Sequence, residues 1–195
     1  MRIVVATKNQ GKIREIKNIF SDIDVDIVTQ EEANIVIDVE ETGDTFEKNA
    51  LIKAKAVSLL CDDIVMADDS GLCVDALNGR PGVYSARYAG EGASDSQKIE
   101  KLLSELRDSA NRNAKFVCCI ALIMPDGREF TTTGEVCGEI LTSPQGEGGF
   151  GYDPIFYSTE LEKSFAVASA EEKNSISHRA RALRAMYNVL KDVLE

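Results

Sequence analysis

Nine consecutive apolar residues, Phe116 to Met124 (Phe-Val-Cys-Cys-Ile-Ala-Leu-Ile-Met), leave the chain little choice of fold. Such a run is far short of the roughly 18 to 20 residues that cross a bilayer. It has no polar alternation, so it reads as a strand covered on both faces. Arg2 to Ala6 reads as a second buried strand, and Ile64 to Ala67 as a short third one that delivers Asp68-Asp69-Ser70-Gly71. Helical patterns come between them. Lys12 to Phe20 sets Ile13, Ile16, Ile19 and Phe20 on one face, and Asp44 to Leu60 does the same with Phe46, Ala50, Ala54 and Val57. Alternation of this kind predicts an α/β fold, with a mixed central sheet flanked by helices.

The remaining segments agree. Asp95 to Arg107 is helical with Ile99, Leu102, Leu103 and Leu106 inward, and Ile176 to Leu194 forms the final helix. Pro125-Asp126-Gly127 is a turn. Beyond it Phe130, Thr132, Val136 and Ile140 alternate with Glu129, Thr131, Glu135 and Glu139, the pattern of a half-exposed strand. With 195 residues and no linker or repeat, residues 1–195 are expected to form one domain, at most divided into two lobes.

Composition narrows the function. The formal net charge of −11 opposes binding a long nucleic acid through its phosphates but not binding one nucleotide. No membrane span or signal-peptide layout is present, so a cytoplasmic protein is expected. The five cysteines form no CxxC pair and one histidine is too few for a zinc site, so reduced, mostly buried thiols are expected. Cys118 and Cys119, adjacent in a strand, should point to opposite faces.

Five segments carry polar chemistry. Thr7-Lys8-Asn9-Gln10-Gly11-Lys12 joins the first strand to the first helix, where backbone N–H groups form an anion site. Its lysine opposes the helix dipole, a conflict that a bound anion relieves. The spacing is not that of a P-loop. Glu40 and Glu41 precede the second helix, which Asp44 or Thr45 could cap. Asp68 and Asp69 come off a buried strand, where carboxylates can hold Mg²⁺ or deprotonate a water. Glu147 to Pro154 interleaves glycines with Phe150 and Tyr152, giving close backbone approach and a ring for stacking on a base. Glu172 to Arg179 opens the last helix, where Ser175 or Ser177 could cap and where His178, Arg179 and Arg181 crowd a start that usually favours acids. Each segment also has a bland reading as an ordinary turn, acidic loop or surface side chain.

Five collinear stretches resemble the inosine/xanthosine triphosphate pyrophosphatase family: ATKNQGKIREI, EETGDTFEKNALIKAKA, ADDSGLCVDALNGRPGVYSARYAG, GEGGFGYDPIF and EEKNSISHRARAL. The likeness is weaker only around Asp108 to Gly138. It implies two α/β lobes with an active-site cleft between them, a homodimer, and Mg²⁺-dependent hydrolysis of ITP, dITP or XTP to the monophosphate and pyrophosphate. It implies that Thr7, Lys8, Asn9, Gln10, Gly11 and Lys12 hold phosphates, and that Glu40 or Glu41 and Asp69 ligate the metal. Asp69 would be the base and Asp68 a second acid. Lys53 and Ser70 match substrate-contact positions, and Phe150, Gly151, Tyr152, Asp153, Lys173, His178 and Arg179 the grip on base and sugar. Lys48 departs from the pattern, where relatives commonly carry an acid.

Two rivals remain. A Maf-like nucleotide pyrophosphatase would carry paired arginines in its first turn, which this chain lacks. A catalytically silent nucleotide sensor would not need the acids at Glu40, Glu41, Asp68 and Asp69.

Overall fold

A computed structural model describes residues 1–21 and 24–194. Its seven strands are β1 (Arg2–Val5), β2 (Asp26–Thr29), β3 (Ile64–Val74), β4 (Asn113–Ile123), β5 (Glu129–Ile140), β6 (Phe156–Ser158) and β7 (Lys163–Ser164). The helices are α1 (Gln10–Ile19), α2 (Phe46–Ser58), α3 (Asp95–Glu105), α4 (Ala170–Ile176) and α5 (His178–Leu194). The sheet order is β2-β1-β3-β4-β5-β6-β7. β1 pairs with β2 and β3 in parallel, whereas β6 pairs with β5 and β7 antiparallel, so the sheet is mixed as expected.

The chain forms two compact units, and the division falls inside β3, β4 and β5. The first comprises 1–69, 118–134 and 179–195, the second 70–117 and 135–178.

In the first unit, strand parity sorts side chains into two cores. Ile64, Met66, Cys118, Ile120 and Leu122 face Ile16 and Phe20 of α1 and Ala182, Leu183 and Met186 of α5. Val65, Ala67, Cys119, Ala121 and Ile123 face Ala50, Ala54 and Val57 of α2. Cys118 and Cys119 therefore point to opposite faces, and all five cysteines are free. Burying each large aliphatic side chain contributes about 1.5–3 kcal/mol. In the second unit α3 and the 3₁₀ turn at 153–155 close a third core around Phe116, Phe156 and Phe165.

Several boundaries differ from expectation. α1 begins two residues early because the Asn9 side chain caps it, accepting from Lys12 N. α2 begins at Phe46 with Thr45 as its cap. β3 does not stop at Ala67 but runs through both aspartates to Val74, because Leu72 and Val74 are themselves buried core residues. The last helix is two helices. Ser169 and Glu172 form a capping box that starts α4, and Ser177, extended at φ −60° and ψ 155°, ends it before His178. Of Ser175 and Ser177, it is Ser177 that stands extended directly before α5, whereas Ser169 caps α4.

Candidate active site

Because β3 continues through Asp68 and Asp69, its alternation sends the two carboxylates to opposite faces. They meet different helices.

Asp68 faces α1 and α5 and is fully buried. Arg179 Nε donates to Oδ2 at 2.7 Å, the Cys118 thiol donates to the same oxygen at 3.0 Å, and Lys12 Nζ pairs with Oδ1. Arg179 also pairs through Nη1 with Glu15. Burial would raise the Asp68 pKa, but Arg179 and Lys12 overrule it and hold the carboxyl well below its ordinary range. The same burial, with the carboxylate alongside, pushes the Cys118 thiol well up, so it stays neutral and donates. Asp68 is thus ionised throughout the ordinary carboxylate range, with a cation on each of its oxygens.

Asp69 faces α2. Lys53 Nζ lies 3.4 Å from its Oδ1, 2.5 Å from Glu41 Oε1 and 2.8 Å from the Asp68 carbonyl oxygen. Lys12 Nζ lies 3.4 Å from that carbonyl, so two ammonium groups converge on one backbone oxygen. Burial raises the Asp69 pKa, Lys53 and Lys12 only partly offset it, and Glu41 and Asp68 raise it further. Two neighbouring carboxylates with pKa values driven apart suit a fixed charge and a proton acceptor. Lys53 is itself half-way between costs: burial would lower its pKa, but Asp69 and Glu41 raise it above the ordinary lysine value.

Asp69 Oδ2 is buried and meets no hydrogen-bond donor. An orphaned carboxylate oxygen is costly, and a divalent cation satisfies it. The hard oxygen donors of Asp69 and Glu41 fit Mg²⁺, which keeps water and phosphate oxygens in the rest of its shell. Among the described residues no three His, Cys, Asp or Glu side chains gather into a metal cage. Glu41 contacts Lys53, whereas its neighbour Glu40 is exposed.

The turn Thr7–Lys12 belongs to the same unit as this cluster and supplies Lys12 to it. Thr7 Oγ1 accepts from Asn9 N at 3.2 Å, and no acid occupies the first turn of α1. Thr7 and Gly11 are half-buried, Gln10 is exposed, and Lys8 is exposed with Asp38 2.9 Å away. Ser70 is half-buried directly after Asp69.

The second unit holds the aromatic turn. Asp153 Oδ2 accepts from Phe150 N at 2.9 Å and pairs with buried Lys173 at 2.6 Å. Gly149, at φ +73°, has no room for a Cβ, which would lie 2.8 Å from the Asp153 Cβ. Lys173 Nζ lies 4.7 Å from the Phe150 ring centroid. Phe116 stacks on His178 with centroids 4.8 Å apart and planes 12° apart. Gly151 N donates to Asp95 Oδ2 at 2.7 Å. Tyr152 is not an exposed stacking ring. It is 4% exposed in the core, and its hydroxyl donates to the Ser85 carbonyl at 2.9 Å.

Structure thus brings together Lys12, Glu41, Lys53, Asp68 and Asp69, and separately Phe150, Asp153 and Lys173, while His178 stacks on Phe116. Arg179, expected with the base-gripping residues, lies in the first unit on Asp68. Sequence reading missed Glu15 and the Cys118 thiol as partners in this cluster. Glu15 stands three residues after Lys12 on one helix, a spacing that places both on one face and could have flagged it.

The chain matches the model of the Ham1 family over residues 3–189. It is 49% identical to a dITP/XTP pyrophosphatase of Bacillus anthracis, covering 95% of this chain and 94% of that protein. A dITP/XTP pyrophosphatase of Staphylococcus aureus strain MW2 is 50% identical, with 99% and 96% covered. Among solved structures, the Staphylococcus aureus Ham1 protein superposes with a TM-score of 0.89 at 48% identity, covering 98% of this chain and 99% of that one. A HAM1 protein from Coxiella burnetii does so with a TM-score of 0.90 at 41% identity over the same shares.

Proposed function

The chain belongs to the Ham1 family, and on that premise we propose that it hydrolyses dITP, ITP and XTP to the monophosphate and pyrophosphate, removing damaged purine nucleotides from the precursor pool. The observation that carries the chemistry is Asp69, a buried carboxylate with a raised pKa and one oxygen without a donor, whose other oxygen lies 3.4 Å from Lys53, the lysine that also holds Glu41.

Asp69 accepts a proton from a water as that water's oxygen bonds to the α-phosphorus. The bond from the α-phosphorus to the bridging oxygen breaks, and pyrophosphate leaves with the pair. Lys12 and Lys53 offset its charge, and the N-terminus of α1, from Thr7 to Lys12, receives phosphate oxygens. Mg²⁺, held by Asp69 and Glu41 with Glu40 adjacent, supplies further neutralisation of the triphosphate when bound. Asp68 carries no proton in this scheme. It positions Lys12 through its carboxylate and Lys12 and Lys53 through its carbonyl.

Base and sugar fall to Phe150, Gly151, Asp153, Lys173 and His178, and Ser70, the residue after Asp69, also contacts substrate. Hypoxanthine and xanthine present a carbonyl at C6, adenine an amino group. A donor such as His178 or Lys173 left unmatched by adenine discriminates against ATP. Arg179, engaged by Asp68 and Glu15, serves the phosphate end instead. We further propose a homodimer working in the cytoplasm. Among the described residues no helix is long and apolar enough to cross a membrane.

The test is a panel of ITP, dITP, XTP, ATP, GTP and a pyrimidine triphosphate, with and without Mg²⁺. Stoichiometric pyrophosphate from the first three, dependent on Mg²⁺, is the expected result. Successive orthophosphate release would reject cleavage at the α-phosphorus, and turnover unaffected by chelation would reject the metal.

A further inference from the structure

Asn49 is a fully buried polar side chain on α2 that the reaction scheme above leaves without a role. Its Oδ1 accepts from Gly43 N at 2.7 Å. A backbone N–H can only donate, so this contact fixes which end of the amide is oxygen. Nδ2 is then buried and meets no acceptor. Such a half-satisfied amide costs stability, and an apolar side chain of the same size would avoid that part of the cost. The residue is therefore explained by what its oxygen holds.

What it holds is the acidic segment. Residues 36–43 enter no helix or strand, so their position depends on anchors. Asn49 and Lys53 are four residues apart on α2 and so share a face. Lys53 grips the Glu41 side chain and Asn49 the Gly43 backbone, two residues further on. The fit at Gly43 is close. A Cβ there would lie 2.7 Å from Asn49 Oδ1 and 2.8 Å from Lys48 Cβ.

We propose that Asn49 is a positioning residue that sets the register of the Glu40–Gly43 segment, and thereby the affinity of the site for its divalent cation. The inference rests on the metal reading given above. Residues that orient a metal ligand typically change metal affinity by about 10–100-fold when removed.

The experiment measures Mn²⁺ binding by the electron paramagnetic resonance of the free ion, in the presence of an α,β-imido analogue of ITP, with melting temperature recorded alongside. Asn49→Leu and Gly43→Ala attack one contact from its two sides, so either remains informative if the other fails to fold. Each should weaken Mn²⁺ binding about 10–100-fold, raise the Mg²⁺ concentration for half-maximal turnover by a similar factor, and leave kcat at saturating Mg²⁺ near that of the unaltered protein. The double variant should be little worse than either single one, because they share a contact. Unchanged Mn²⁺ binding in both variants, with binding weakened in Glu41→Gln, would overturn the role of Asn49 and leave the metal site standing. Unchanged binding in Glu41→Gln and Asp69→Asn as well would overturn both.

Discussion

Arg179 and Asp68, 111 residues apart in the chain, meet with Nε 2.7 Å from Oδ2, and both side chains are almost completely buried. This pair ties the start of α5 to the middle of β3. Asp68 binds Lys12 on its other oxygen, so the same carboxylate ties in α1.

Removing one partner of a buried ion pair typically costs about 3–5 kcal/mol, because the other charge keeps its desolvation penalty. Arg179→Met should show a loss of that size in denaturant unfolding, and Arg179→Lys a smaller one, since an ammonium cannot reproduce the planar fork that meets Asp68 and Glu15. Unaltered stability in Arg179→Met would show that the pair contributes nothing.

Asp69→Asn should separate catalysis from folding. Losing the general base should lower kcat about 10²–10⁴-fold while nucleotide still binds. The raised pKa means that folding disfavours ionised Asp69, so the neutral amide should leave stability at pH 7 equal or higher. A thermal melt beside a pyrophosphate assay tests both; near-normal turnover would remove Asp69 from its role.

The two aspartates give opposite pH signatures. Asp68 has a lowered pKa, so its stabilisation is complete above the ordinary carboxylate range, about 3.9, and is lost as pH falls through the lower folded value. Without a cation burial raises the Asp69 pKa, so protonation competes with Mg²⁺ there, and at limiting Mg²⁺ activity should fall on the acid side at a pH where the fold is intact. A kcat/KM profile measured with unfolding curves at each pH checks the order. Coincident loss of activity and fold would contradict it.

Lys173→Met removes the ammonium that pairs with buried Asp153 and lies over Phe150. A charge-assisted hydrogen bond of about 1.5–3 kcal/mol corresponds to roughly a 10–100-fold change. KM for ITP should rise by that order with kcat less affected. An effect on kcat alone would move Lys173 from gripping the substrate to the chemical step.

Tyr152→Phe deletes the hydroxyl that donates to the Ser85 carbonyl, and should cost about 1 kcal/mol of stability with little change in KM. A large rise in KM would restore Tyr152 to the substrate contacts expected from the sequence.

The sequence by itself determined the class of fold and most of the candidate site. Hydrophobic period is local, so the run at 116–124 and the spacing of Ile13, Ile16 and Phe20 revealed a covered strand and an amphipathic helix before any contact was known. The acids and lysines were legible because their motifs are contiguous. Tertiary structure alone decided which partners each of them meets. β3 continues past Ala67 because Leu72 and Val74 have a core to enter, and that continuation gives Asp68 and Asp69 opposite faces. One face offers Arg179 and Lys12 and the other Lys53 and Glu41, partners brought in from segments as far as 111 residues away. Two identical side chains, adjacent in sequence, therefore acquire opposite pKa shifts, because a shift depends on neighbours in space rather than on neighbours in the chain.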